Sequence, residues 1–150
     1  MDRSPGADLA LMLLRAFRGL VDDVSNGLER AGHPGVRAAD EFALRAIAEG
    51  AETASELGRR LSITKQAAAQ RIATLEQLGY VEREPDPADA RRRRLLTTSR
   101  GREMMALGGA LLDDIRDRWA ANIGRRELER IEQHLRRLTA DYPFPADATS

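Results

Sequence analysis

The 150-residue chain contains no cysteine. This absence excludes a disulfide framework, a thiolate metal site, a cysteine nucleophile and a thiol-based redox sensor. The chain also lacks an apolar run long enough to span a bilayer, and its first residues, Met1–Gly6, do not have the pattern of a signal peptide. We therefore expect a cytoplasmic protein with no membrane association, built as one domain with or without helical extensions.

Groups that support enzyme or metal chemistry are also scarce. The two histidines, His33 and His134, have no acidic neighbour in sequence, which argues against a zinc site. The acidic pairs Asp22–Asp23 and Asp113–Asp114 diverge by roughly 100° on a helix, so they do not form a general acid/base pair. We find no phosphate-binding loop and no nucleophile beside a base. The sequence predicts that the protein is not an enzyme and uses no cofactor and no metal.

The charge of the chain is zero overall but unevenly distributed. Residues 53–103 contain eleven basic and seven acidic side chains, an excess of four positive charges that the rest of the chain balances. Lys65, the only lysine, lies in this segment. Such asymmetry indicates a basic face on a neutral molecule.

Apolar residues at steps of three and four predict helices over about residues 8–31, 39–49, 54–61 and 65–78. Thr53 and Glu56 have the spacing of a capping box, Thr64 can cap the fourth helix, and Gly79 can end it. Two more helices follow, one of about 25 residues that starts after Thr98 or Ser99 and one that ends near residue 140. Residues 142–150 are expected to form a loose tail.

Two strand-like runs flank the turn-forming segment Pro85–Asp89, and Arg91–Arg94 lie on the returning strand. Crowding like charge on a hairpin costs stability, and a polyanion is the usual reason for it. An edge strand protected against aggregation is the simpler alternative for these arginines. Because the two short helices upstream are joined by a tight turn at Ser62–Ile63, the segment has the organisation of a winged helix-turn-helix, a DNA-binding module.

The first, fifth and sixth helices have apolar stripes that a small winged-helix core cannot cover. A second copy of the chain is the simplest partner, and a two-fold dimer suits a palindromic DNA site.

Four segments resemble the MarR family (multiple antibiotic resistance regulators): Thr64–Ala67, Leu75–Arg83, Asp86–Arg91 and Thr98–Gly101. The likeness covers nearly the whole chain, and the pattern is specific only when its parts are taken together. Two positions depart from the family pattern, since Thr97 replaces a leucine and Ala90 replaces the middle arginine of the wing.

This resemblance implies a mainly α fold with a small β-hairpin wing. It also implies a homodimeric transcriptional regulator, expected to act as a repressor, whose fourth helix enters the major groove and whose wing arginine enters the minor groove. A small aromatic or lipophilic anion would bind between the dimerisation and DNA-binding regions and weaken the affinity for DNA. The expected parts are an N-terminal dimerisation helix (1–35), a DNA-binding domain (36–100), C-terminal dimerisation helices (101–141) and a tail (142–150).

The candidate DNA-contacting residues lie on the fourth helix and the wing. Gln66 and Gln70 can each contact adenine through the side-chain amide, and the amino end of the helix favours phosphate. Asp89 is expected to hold the side chain of Arg91. The full set is Thr64, Lys65, Gln66, Ala69, Gln70, Arg71, Arg83, Asp89, Arg91, Arg92 and Arg93.

A candidate effector pocket combines the aromatic residues Phe17, Phe42 and Trp119 with Arg18 or Arg45, which would neutralise an anion. Core or dimer packing is the simpler alternative for the three aromatic residues. For the whole protein the alternative function is a winged-helix adaptor that binds other proteins and no operator.

Overall fold

A computed structural model describes residues 4–140, so the expected tail at 142–150 lies outside the described residues. The architecture is mainly helical with one two-stranded antiparallel hairpin, as the sequence predicts. The elements in chain order are α1 (Pro5–Arg30), α2 (Ala38–Ala48), α3 (Ala54–Leu61), α4 (Lys65–Gln77), β1 (Val81–Asp86), β2 (Asp89–Thr97), α5 (Ser99–Ile123) and α6 (Arg125–Thr139).

The core lies among α2, α3, α4 and the base of the hairpin, where α5 and the second half of α1 cover it. Val81 and Leu95 bring the two strands into this core, while the distal half of the hairpin is mostly exposed. Only Val24, Gly27 and Leu28 of the 26-residue α1 are buried. The folded core therefore fixes the base of the wing and one end of α1, and leaves the remainder of both elements projecting.

Side-chain caps set the start of the helices that form the helix-turn-helix. The Thr53 hydroxyl accepts a hydrogen bond from the Glu56 N–H at 3.1 Å, and the Thr64 hydroxyl accepts one from the Ala67 N–H at 3.1 Å. The expected capping box is only half correct. The Glu56 carboxylate accepts from the Glu52 N–H at 2.8 Å, one residue before the cap, and not from the N–H of Thr53 as a standard box requires.

The turn of the hairpin is shorter than the sequence suggested. Pairing extends to Asp86 and Asp89, which leaves two turn residues instead of the five expected from Pro85 to Asp89. The Asp86 carboxylate accepts the Ala88 N–H at 2.9 Å and so closes the turn locally. The register shifts between Pro85 and Asp86, where the strand that bears the arginines has the extra residues.

Ion pairs attach the long helices to each other. Arg116 of α5 donates two hydrogen bonds to Glu132 of α6, at 2.6 and 3.1 Å, and holds the pKa of that carboxyl below its usual range. Arg118 pairs with Asp23 of α1 at 2.9 Å. No helix within residues 4–140 has both the length and the hydropathy that crossing a membrane requires.

Large apolar side chains remain exposed on the same three long helices. They are Leu9, Leu11, Met12, Leu13, Leu14 and Phe17 on α1, Trp119 and Ile123 on α5, and Ile131, Leu135 and Leu138 on α6. We call these eleven residues the apolar patch.

Candidate nucleic-acid interface

The amino-terminal half of α4 presents a polar face. Lys65, Gln66, Ala69 and Gln70 are exposed, as the sequence predicted, whereas Ala68, Ile72 and Leu75 point into the core. Thr64 is exposed but its hydroxyl is engaged in the cap. The N–H groups of the first turn and the positive end of the helix dipole therefore lie beside two side-chain amides, an arrangement suited to a phosphate next to a base edge.

Arg71 does not project freely from this face, contrary to the expectation from the helical pattern. Its Nη1 donates to Asp40 Oδ1 at 2.9 Å, and the Asp40 side chain is 1% exposed. Asp40 Oδ2 also accepts the Arg37 N–H at the start of α2, at 3.0 Å. The guanidinium is drawn inward because a buried carboxylate needs a charged partner. Arg71 thus ties α4 to α2.

The wing arginines divide into an exposed group and a paired one. Arg91, Arg92 and Arg93 are exposed near the tip of the hairpin. Arg94 donates from Nε and Nη2 to Glu84 Oε1, at 3.0 and 2.6 Å, and this hydrogen bond raises the pKa of the arginine. Strict alternation along a strand would turn two of the four arginines outward, whereas in the structure three are exposed and one is paired.

Two further wing residues make hydrogen bonds within the protein. Asp89 Oδ1 accepts the backbone N–H of Arg91 at 3.0 Å, so Asp89 shapes the turn and does not hold the Arg91 side chain. Arg83 pairs with Glu76 at 2.8 Å and is about half exposed. This pair connects the end of α4 with β1. Arg83 therefore joins the helix to the wing within the protein itself.

The junction of β1, β2 and α5 depends on residues that the sequence marked only as a motif. The Thr98 hydroxyl accepts the Gly101 N–H at 3.1 Å and donates to the Gly79 carbonyl at 2.7 Å. A Cβ at position 101 would overlap the Tyr80 carbonyl oxygen. Thr98 is needed because its hydroxyl caps α5. Gly101 is needed because the absence of a Cβ lets the backbone just before β1 pass close to α5.

Tyr80, the residue before β1, anchors the base of the wing in the core. Its ring is fully buried, its hydroxyl forms a 2.8 Å hydrogen bond with His33 Nδ1, and the Arg100 guanidinium lies 5.0 Å from the ring centroid. Burial raises the pKa of Tyr80, and Arg100 partly offsets that effect. Sequence reasoning missed this role of His33, because its partner lies 47 residues away.

Two of the five candidate effector residues line one groove. Phe42 and Arg45 line a groove of about 420 Å³ between α2 and α3, together with Ala46, Glu49, Arg60 and Leu61. Phe17 and Trp119 are exposed members of the apolar patch, and Arg18 lies beside Phe17 on α1. A pocket shared by all five residues stays a prediction.

Sequence reasoning also missed Glu41, a fully buried carboxylate bound by Arg45. Burial raises the pKa of Glu41, and Arg45 lowers it by a smaller amount. Nothing in the local pattern of α2 distinguishes Glu41 from a surface acid. Across residues 4–140 no group of three histidine, aspartate or glutamate side chains is arranged to hold a metal ion.

Known proteins are similar to this chain in sequence and in fold. A model of the MarR family matches residues 42–92. The transcriptional regulator HosA of Escherichia coli O111:H- is 32% identical over 97 residues, which cover 63% of this chain and 71% of HosA.

Solved structures of MarR-family proteins share the fold. The crystal structure of MarR is 27% identical with a TM-score of 0.70, and the match covers 93% of this chain and 92% of MarR. The MarR family protein Rv2887 of Mycobacterium tuberculosis, solved in complex with salicylic acid, is 25% identical with a TM-score of 0.69, and the match covers 91% of this chain and 98% of that one. The family and these relatives are transcriptional regulators, not enzymes.

Proposed function

The chain belongs to the MarR family of transcriptional regulators, and from this premise we propose that it is a homodimer that binds a palindromic DNA operator and represses transcription. One observation carries the proposal. Three exposed arginines at the tip of a hairpin follow a helix whose amino-terminal face is polar and exposed. Double-stranded DNA matches this arrangement, because it presents a regular array of phosphates for the arginines and base edges in a groove for the polar helix face.

Each part has a proposed role in this complex. Gln66 and Gln70 contact base edges in the major groove, while Thr64, Lys65 and the amino end of α4 contact phosphates. Arg91 enters the minor groove, with Arg92 and Arg93 beside it. Arg71 and Arg83 act from within the protein, since their guanidinium groups pair with Asp40 and Glu76 and thereby orient α4 and the wing.

The apolar patch supports the homodimer. Its eleven members lie on α1, α5 and α6, outside the segment from α2 to β2 that forms the proposed DNA-binding part. Leaving so many large side chains in water is unfavourable, and a second copy of the chain covers them. A two-fold axis through this surface also relates two copies of α4, as a palindromic site requires.

The groove between α2 and α3 supports a small-molecule effector. Phe42, Ala46 and Leu61 provide apolar contacts, and the Arg45 guanidinium provides a positive charge at the wall. This combination suits an aromatic or lipophilic anion. The salicylic acid bound to Rv2887 belongs to that chemical class.

The alternative is an adaptor that uses the winged helix to bind another protein. It draws support from the short side chains of Ala69 and Ala73, which leave part of the exposed face of α4 without long polar groups. A salt titration separates the two functions, because each phosphate contact gives a slope of about −0.9 in log affinity against log salt. We expect a slope of several units with duplex DNA. Absence of DNA binding even at low salt would support the adaptor.

A further inference from the structure

Glu41 is a buried carboxylate with one oxygen bound and the other unsatisfied. Its side chain is 0% exposed, and Oε1 accepts a hydrogen bond from Arg45 Nη2, while Oε2 has no hydrogen-bond partner among the described residues. Buried ionised carboxylates normally have several donors. Ionised Glu41 therefore depends on one guanidinium.

Helix α5 closes over this carboxylate without offering a charge. A Cβ at Gly108 would lie 2.5 Å from Glu41 Cγ, so only glycine allows the two helices to approach this closely. The Met105 carbonyl of α5 accepts a long 3.5 Å hydrogen bond from Arg45 Nη2. Neither of these α5 groups titrates. Helix α2 also packs against α1, α3, α4 and β2, and among the described residues Arg45 is the one charged group that acts on the pKa of Glu41.

Arg45 also faces the groove where the effector is proposed to bind. Its side chain is 41% exposed and lines the groove beside Phe42. Arg60, the other basic residue of the groove, donates from Nη1 to the Glu49 carbonyl at 3.1 Å and so is held at the end of α2. The Arg45 guanidinium thus binds the buried Glu41 carboxylate and also lines the groove.

We propose that an aromatic carboxylate bound in the groove shares or takes the Arg45 guanidinium, and that Glu41 takes up a proton from solvent as this ligand binds. The inference rests on the effector site of the proposed function. The new O–H bond forms on the Glu41 carboxyl, the proton comes from buffer, and no covalent bond of the ligand breaks.

The physical reason is competition between two carboxylates for one cation. A second negative charge at Arg45 weakens the attraction that keeps Glu41 ionised, and burial already disfavours the charged form. Linkage is reciprocal, so a lower pH that protonates Glu41 frees Arg45 and strengthens ligand binding. In the window where free Glu41 is ionised and liganded Glu41 is protonated, affinity rises by about tenfold per unit decrease in pH.

The test uses the full chain and salicylate as the probe. Titration calorimetry in three buffers of different ionisation enthalpy gives the number of protons taken up per salicylate bound, and the series is repeated from about pH 5 to pH 8. We expect uptake that approaches about one proton per protomer within this range. No uptake across the range, or no salicylate binding at millimolar concentration, would overturn the proposal.

Two variants assign the proton to its residue. Glu41→Gln keeps the shape and removes the titration, so salicylate should bind with no proton uptake and with an affinity that does not change with pH. Asp113→Asn, at an exposed carboxylate of α5 outside the groove, should keep the wild-type uptake. Equal uptake in Glu41→Gln and wild type would show that another group titrates, which contradicts the proposal.

A separate readout keeps this inference apart from the proposed function. DNA binding is measured without salicylate at each pH. If the unliganded protein binds DNA and proton uptake is absent, the inference alone fails. If DNA binding itself is absent, the proposed function fails. Should Glu41→Gln not fold, the pH series on the wild-type protein still decides whether a proton accompanies the ligand.

Discussion

At the scale of single residues, two consecutive acids of α2 connect that helix to different neighbours. Asp40 reaches α4 through Arg71, and Glu41 lies against α5 with Arg45 as its cation. Both carboxylates are buried. Packing alone does not explain them, because burying a charge without a partner lowers the free energy of unfolding. Their value is positional, since they fix α2 between the helix proposed to contact DNA and the helix that leads to the apolar patch.

Replacing Asp40 tests this positional role. Asp40→Asn removes the charge that holds Arg71 and should lower the free energy of unfolding by about 1–3 kcal/mol, toward the low end because Arg71 is partly exposed. Chemical denaturation measures the loss. Asp113→Asn, at an exposed site on α5, should change stability by less than about 0.5 kcal/mol. Equal effects in the two variants would mean that the pair contributes nothing specific.

Glu41 should make stability depend on pH in a defined direction. Burial raises its pKa in the folded chain above the ordinary value of 4.5, so the unfolded chain releases the proton first as pH rises. The contribution of Glu41 is complete below pH 4.5 and is lost as pH rises toward the folded pKa. Wild type should therefore lose stability relative to Glu41→Gln over this window in urea titrations. A difference that stays constant with pH would contradict the raised pKa.

At the scale of elements, the wing is a hairpin whose base is built into the core and whose tip is free. We expect Arg91→Ala to weaken operator binding strongly and to reduce the salt slope by about 0.9 for each phosphate that the arginine neutralises. Arg94→Ala is the matched control, because the guanidinium of Arg94 is held by Glu84. Fluorescence anisotropy over a salt series measures both slopes. If Arg94→Ala is the more damaging change, the assignment of the exposed arginines is wrong.

Element types and the helix boundaries could largely be predicted from the sequence, since they follow from local signals, whereas the hairpin turn is shorter than predicted. Apolar spacing marked the six helices of the described residues, Thr64 marked the start of α4, and the turn-forming segment Pro85–Asp89 between two strand-like runs marked a hairpin. Pairings between distant segments could not be predicted. Arg71 pairs 31 positions away with Asp40, and His33 bonds to Tyr80 across 47 positions. Local periodicity contains no information about which polar groups meet when the elements pack.

The same limit explains the effector prediction. Phe42 and Arg45 share a helix and line one groove, as residues three positions apart on a helix can. Phe17 and Trp119 also belong to apolar helical stripes, yet they are exposed members of the apolar patch. An apolar stripe predicts burial, but it does not say whether the chain itself or a second copy provides the cover.

At the scale of the whole molecule, the apolar patch predicts association. Leu13→Glu and Leu135→Glu each place a charge in the patch and should shift the protein toward monomer, because desolvating an unpaired carboxylate opposes dimer formation. Ala73→Glu, at an exposed position on α4, should leave association unchanged. Sedimentation velocity over a concentration series measures the shift. A wild-type protein that is monomeric at micromolar concentration would contradict the prediction that the patch is a dimer interface.

In the proposed function, two copies of the chain bind one specific DNA site. Selection of bound sequences from a random duplex library, at near-physiological salt, tests this most directly. We expect enrichment of an inverted repeat whose half-sites lie about one helical turn apart, because two copies of α4 related by a two-fold axis must enter successive major grooves on one side of the duplex. No enriched sequence from a protein that is dimeric in the same buffer would contradict specific DNA binding and favour the adaptor.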